Sequence, residues 1–159
     1  MNRGWDFASI PLRLVLGFGF AYHGAPKLFS AAQHEGFVGM LQGIGVPLPG
    51  VMAWVVGIVE FFGGLALIVG AFVTIVSVLG IINMLVALFT VHLQNGFNFI
   101  NMTMTEQGPE FGMPGFEVNL LYIAAFLALA LAGAGALSVD RMLAERRSAA
   151  PSPGGAPQM

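Results

Sequence analysis

Six side chains of this sequence have the types and placement for proton transfer or for holding a polar ligand: Arg13, His23, Lys27, Glu60, His92 and Glu117. Glu60 is the most telling, because it stands alone in the apolar run Val51 to Val69. A carboxylate at that depth of a membrane helix is costly, and such groups have a partner or a task. At about 100° per residue, Arg13, Gly17, Phe20, Gly24 and Lys27 fall in one stripe, so two charges and two glycines face the same way. Glu60 shares a face with Gly57, Gly63 and Gly64, small residues that let another helix come close. His92 shares a face with Ile81, Leu85 and Leu88. Asn83 points the opposite way, which assigns these two polar groups to different contacts.

The elements that position these residues follow from composition. Hydrophobic residues make up 57% of the 159-residue chain and charged ones 9%, against roughly 25% charged in a soluble domain, and the mean hydropathy is +0.82. The chain reads as an integral membrane protein. Four apolar segments, about 10–28, 51–69, 72–93 and 118–136, each have about 19 to 22 residues, or roughly 28–33 Å of helix, which matches a hydrocarbon core of about 30 Å. The expected fold is an all-α, four-helix membrane bundle occupying residues 1–141. Gly70 and Ala71 leave almost no connection between the second and third spans, so these form a tight antiparallel hairpin.

Arg3, Arg141, Arg146 and Arg147 flank one side, whereas Lys27 is the sole basic residue of the other, which carries Glu35, Glu106 and Glu110. Both termini are therefore expected in the cytoplasm. Phe37, Met40, Leu41 and Ile44 predict a short interfacial helix in the first outer loop, followed by a turn through Pro47 and Pro49. The second outer loop, 94–116, is rich in Asn, Gly, Met and Phe and reads as a partly ordered lid. Residues 142–159 end in a Pro-, Gly- and Ser-rich stretch and are expected to be a disordered cytoplasmic tail.

His23, Lys27, His92 and Glu117 fall near the outer boundary and Glu60 about nine residues, roughly 13 Å, below it. A polar pocket opening outward, with Glu60 or Arg13 at its floor, is one reading of this placement. The other is purely structural: Lys27 pairs with Glu117, and Arg13 with Glu60, to fix helix packing. With no cysteine, thiol chemistry, disulfides and thiolate metal sites are excluded. No metal site is expected: neither Glu60 nor Glu117 is followed by a histidine three residues on, as a di-iron bundle requires, and nine methionines in an apolar chain make thioether proximity cheap. His23 and His92 are the histidine pair that axial haem ligation would use. Nothing points to nucleic acid.

Arg13 with Gly17, HGAPKL at His23 to Leu28, the PLPG turn ending at Gly50, VxxxE at Val56 to Glu60 followed by Gly63-Gly64, His92, FEVNLLY at Phe116 to Tyr122, and GAGxxSVDR at Gly133 to Arg141 occur in this order. Over residues 7–141 the chain resembles the DoxX family of small four-helix membrane proteins. The resemblance implies a bacterial or archaeal cytoplasmic membrane protein. It also implies a link to quinone-coupled oxidation, as the small subunit of a thiosulfate:quinone oxidoreductase or in membrane oxidoreductase complexes that resist oxidative stress. Related four-helix families include maturation factors for periplasmic enzymes. The family's polar signature would fall on Arg13, Lys27, Glu60, His92 and Glu117.

Two functions remain open at this level. In one, the pocket binds a quinone or a similar polar-headed apolar molecule, His92 and Lys27 hydrogen-bond its carbonyls, and Glu60 or Glu117 relays protons. With no intrinsic cofactor, the chain is then at most a subunit that needs a redox-enzyme or periplasmic partner. In the other, the chain is a non-catalytic membrane scaffold or assembly subunit whose ion pairs are structural and whose glycine faces dock a partner or a second copy.

Overall fold

Glycines decide how the helices meet. The computed structural model describes residues 3–149, which are mostly helical. The helix α1 (Arg3–Phe29) lies antiparallel to α3 (Pro49–Val69), and between them comes α2 (Ala31–Gly43). A methyl group at Gly64 would stand 2.5 Å from the Gly17 carbonyl and the Ala21 amide, and one at Gly57 would meet the Leu28 side chain at 2.8 Å. These contacts require bare backbone, and they hold α1 and α3 together along most of their shared length.

The helix α3 ends at Gly70, whose φ of 72° is the left-handed conformation that glycine adopts without penalty. After Ala71 the chain re-enters helix as α4 (Val73–Ala87), the tight hairpin the sequence predicts. One π turn (Leu88–His92) and one 3₁₀ turn (Leu93–Asn95) continue α4. Thr90 Oγ1 donates to the Val86 carbonyl at 2.7 Å, a back-bond that loosens the helical ladder where the π turn forms. The helix α5 (Glu117–Ala132) packs antiparallel to α4, with the Phe126 ring over Gly80. Leu16 and Phe20 of α1, Leu67 of α3, Val73 and Val76 of α4, and Phe126 and Leu129 of α5 form the buried core between the two helix pairs. Among the described residues two helical stretches are long and apolar enough to cross a membrane, Pro49–Val69 and Val73–Asn95, with Glu117–Ala132 a shorter apolar helix.

Four expectations are corrected. The fourth apolar helix stops at Ala132 rather than near 136, because Gly133 and Gly135 take φ values of 81° and 69° and turn the chain back to the start of α1. There Ala136 N donates to the Asp6 carbonyl at 2.7 Å and Ser9 Oγ to the Ala134 carbonyl at 2.9 Å. The chain is not wholly α: β1 (Met102–Thr105) and β2 (Gly108–Phe111) form an antiparallel hairpin with Met102 opposite Phe111. Its turn is made by Gly108 at φ 117° and by Thr105 Oγ1, which donates to the Gly108 carbonyl at 2.9 Å. Disorder does not begin at 142, because α6 (Val139–Ala149) continues to 149, started by Ser138 Oγ accepting from Arg141 N and braced by an Arg141–Glu145 pair at 2.9 Å. Residues 150–159 of the expected tail lie outside the described residues. Finally, the pairings Lys27–Glu117 and Arg13–Glu60 do not form; each of these groups has another partner.

Candidate functional site

The close approach of α1 and α3 sets the site. At Gly24 a side chain would collide with the backbone of Glu60 and Phe61, and this proximity brings Lys27, one turn further on, into an ion pair with Glu60 Oε2. Lys27 Nζ also donates to the His23 carbonyl at 2.9 Å and sits 4.9 Å from the Phe37 ring centre on α2. The other carboxylate oxygen, Glu60 Oε1, accepts from Asn83 Nδ2 of α4 at 2.9 Å. Glu60 is thus tied to two neighbouring helices at 7% exposure. A buried carboxylate requires this kind of pairing.

Beside the pair lies a cavity of about 310 Å³, at the small end of the range for ligand pockets. Phe20, His23 and Lys27 of α1, Glu60 of α3, Met84, Ala87 and His92 of the α4 continuation, and Val118, Asn119 and Tyr122 of α5 line it. Phe99, Pro114 and Gly115 cover it from the second loop. That loop is held by a network of short bonds. His92 Nδ1 bonds the Pro114 carbonyl at 2.9 Å, and Asn101 Nδ2 donates to the carbonyls of Asn95 at 2.7 Å and Met113 at 2.8 Å. Gly115 N and Phe116 N pair with the Asn98 and Gly96 carbonyls.

Four of the six residues singled out in the sequence, His23, Lys27, Glu60 and His92, meet at this cavity. Glu117 does not line it. Its Oε2 accepts from the Phe99 amide at 3.1 Å, which fastens the covering loop. Arg13 lies at the opposite end of α1, 2% exposed, with Nη2 donating to the Ala136 and Leu137 carbonyls at 3.1 and 3.3 Å. Its Nε and Nη1 have no hydrogen-bond partner among the described residues. Arg13 therefore holds the turn after α5 and is not the floor of the pocket.

Asp140 completes that closed end. Its carboxylate accepts from Phe72 N at 2.8 Å and Val73 N at 2.9 Å, capping α4, while its own amide donates to the Gly70 carbonyl at 3.0 Å. Arg141 reaches Asp6 at 3.4 Å, and its pKa is raised first by the hydrogen bond to Glu145 and then by the charge of Asp6.

Two site residues, Asn119 and Tyr122, escaped the sequence reading, which named Asn83 but assigned it to a different contact from His92. Asn83 binds Glu60, Asn119 sits in the cavity wall at 6% exposure with Nδ2 at 3.5 Å from the Met84 carbonyl, and Tyr122 closes the crevice between α5 and α1, its hydroxyl facing the space that the missing side chain of Gly19 leaves. The available signal was polarity: an asparagine inside an apolar helix carries the same implication as a buried charge, at lower cost. Among the described residues, no three His, Asp or Glu side chains converge as a metal ion would need.

Residues 8–93, more than half of the chain, match the DoxX family. A protein of Bacillus subtilis (strain 168) with the name "Putative oxidoreductase CatD" is 28% identical over 141 residues, covering 88% of this chain and 90% of its own length. No solved structure matches. The chain, with its membrane-type apolar helices and paired glycine faces, belongs to the DoxX family.

Proposed function

We propose that this protein is an accessory subunit of a quinone-linked membrane oxidoreductase system, of the thiosulfate:quinone oxidoreductase or oxidative-stress kind, and that its cavity receives the ring of the quinone. In this reading α1, α3, α4 with its continuation, and α5 cross the bacterial cytoplasmic membrane as a four-helix bundle. The cavity opens at the outer face and both termini are cytoplasmic. The observation that carries the proposal is the juxtaposition of the buried Glu60, paired with Lys27, with a cavity walled by Phe20, Met84, Val118 and Tyr122. An aromatic, apolar enclosure suits a ring, and the carboxylate at its edge suits the protons that a quinone takes up on reduction and a quinol gives up on oxidation. The name of the Bacillus relative agrees with a redox role. In this reading the electrons belong to a partner enzyme, and this chain, which has no cysteine, supplies no thiol to carry them.

The test is gentle detergent extraction from the native membrane, with mass spectrometry of co-purifying proteins and of extracted small molecules. A stoichiometric quinone or a redox-enzyme partner is expected; a stable protein carrying neither overturns the reading. The orientation has its own test, since a cysteine-free chain accepts single reporters. Ser148→Cys should be shielded from a membrane-impermeant thiol reagent in intact cells, and Gln107→Cys should be labelled. The reverse pattern would invert the topology.

A second reading, a non-catalytic scaffold, is favoured by one observation: Lys27 is already engaged by Glu60, the His23 carbonyl and Phe37. It predicts that Glu60→Gln lowers the melting temperature without changing the redox output of the membrane.

A further inference from the structure

The hydrogen-bonding capacity that faces the cavity is lopsided. Lys27, the obvious donor, is committed to Glu60, to the His23 carbonyl and to the face of Phe37, which accounts for the three directions of an ammonium group. The Asn119 amide nitrogen is turned toward the Met84 carbonyl and sulfur. Acceptors, by contrast, are in surplus. The Glu60 carboxylate has about four lone-pair sites, of which Lys27 and Asn83 take one each. At His92, Nδ1 faces the Pro114 carbonyl at 2.9 Å. A carbonyl can only accept, so Nδ1 carries the hydrogen, and Nε2 of the neutral ring is left as an acceptor. Tyr122 lines the cavity but its hydroxyl faces the space beside Gly19, which leaves the His23 ring as the wall group able to serve either way.

The wall thus offers two acceptors, Glu60 and His92, and one group, His23, that can donate or accept. From this we infer that the site selects the hydroxylated, reduced form of a ring, a quinol or a phenol, over the dicarbonyl quinone. A quinone would set its two carbonyl oxygens against a carboxylate and an imidazole lone pair, with no N–H of Lys27 to receive them and the His23 ring able to meet one at most. A quinol places a hydroxyl on each acceptor, and sites built to hydrogen-bond a hydroxyl discriminate strongly against analogues that lack it. The inference rests on the quinone-class reading of the cavity and adds which redox form it holds. It also corrects the expectation that Lys27 hydrogen-bonds the ligand: Lys27 positions Glu60, and Glu60 and His92 meet the ligand.

The experiment is anaerobic calorimetric titration of the detergent-purified full chain with three probes that share one ring and one decyl tail: the benzoquinol, the benzoquinone, and the di-O-methyl ether of the quinol. The quinol should bind at least tenfold more tightly than either of the others. In Glu60→Gln, whose amide adds donors, the gap between quinol and quinone should shrink below threefold. His92→Gln, which leaves the ion pair intact, serves as the second variant should Glu60→Gln fail to fold, and should narrow the same gap. Quinone binding equal to or tighter than quinol overturns the inference and leaves the proposed function standing. Ether binding as tight as quinol overturns it as well, because the ring would then be held without its hydroxyls. No binding of any probe overturns both.

Discussion

The two ends of the helix pairs use the same kinds of side chain for opposite purposes. At the closed end, Arg13, Asp140 and Ser9 point at backbone groups: two carbonyls after α5, two amides at the start of α4, and one carbonyl in the 133–138 turn. At the cavity end, Lys27, Glu60 and Asn83 bond chiefly to one another, and a space of about 310 Å³ lies beside them. A polar group that ends on backbone fixes the chain path. A polar group that ends on another side chain, with lone pairs to spare, is available to a ligand. Charge alone does not separate the two, since Arg13 at 2% exposure is buried more deeply than Glu60 at 7%.

The comparison breaks first where it has no counterpart, at the glycines that both ends depend on. Gly64→Leu places a branched side chain where a single methyl would already stand 2.5 Å from Gly17 O and Ala21 N. Backbone cannot move aside as a side chain can, so we expect a loss of about 3 kcal/mol or more, read as failure to recover monodisperse protein from detergent. A normal yield and melting temperature would show that α1 and α3 do not meet face to face.

Next in size is Arg13→Met, which removes the charged donor from the Ala136 and Leu137 carbonyls. Bonds from charged donors are worth about 1.5–3 kcal/mol each, offset here by relief of the buried Nε and Nη1 that have no partner among the described residues. A net loss of about 2 kcal/mol is expected, with quinol affinity of the remaining folded protein unchanged. A tenfold loss of affinity at unchanged stability would mean that Arg13 acts at the cavity after all. Glu60→Gln should show the converse: stability lower by about 1 kcal/mol, because Gln still accepts from Asn83, and quinol affinity lower by at least tenfold.

How much of this was legible in the sequence depends on whether helical phase holds. Along α1 and α3 the phase is unbroken, and the stripes of Gly17, Gly24 and Lys27 on one helix and Gly57, Glu60 and Gly64 on the other do meet as the spacing implies. Along α4 it is broken. The π turn at Leu88–His92 holds more residues per turn, which swings the residues beyond it by roughly a quarter turn. Asn83 and His92, set on opposite faces by regular geometry, therefore both serve the region of Glu60. The sequence marks that site by a threonine, Thr90, whose back-bond to Val86 is visible only once the helix is built.

Partner choice was illegible for a different reason. Depth matched Lys27 with Glu117 and set Glu60 roughly 13 Å away, yet Lys27 pairs with Glu60. The choice was made by Gly24, which brings the Glu60 backbone against α1, and by the covering loop, whose Phe99 amide claims Glu117. The β-hairpin and α6 rest on local turn and capping chemistry at Gly108 and Ser138, which apolar periodicity does not register.

The finest test of the division compares two carboxylates that both accept from backbone amides, Asp140 and Glu117. Asp140 takes two amides at a helix start, so Asp140→Asn, with one acceptor oxygen and no charge, should cost about 1 kcal/mol. Glu117 takes one amide in a loop at 3.1 Å, and Gln retains an acceptor there, so Glu117→Gln should cost no more than about 0.5 kcal/mol. Its effect belongs in the loop: faster hydrogen exchange at the Phe99 amide, with quinol affinity changed less than twofold. If Glu117→Gln instead weakens quinol binding as much as Glu60→Gln does, then fastening the cover and meeting the ligand are one function at the cavity end. The distinction between side chains that fix the chain and side chains that face the cavity would then hold for the closed end alone.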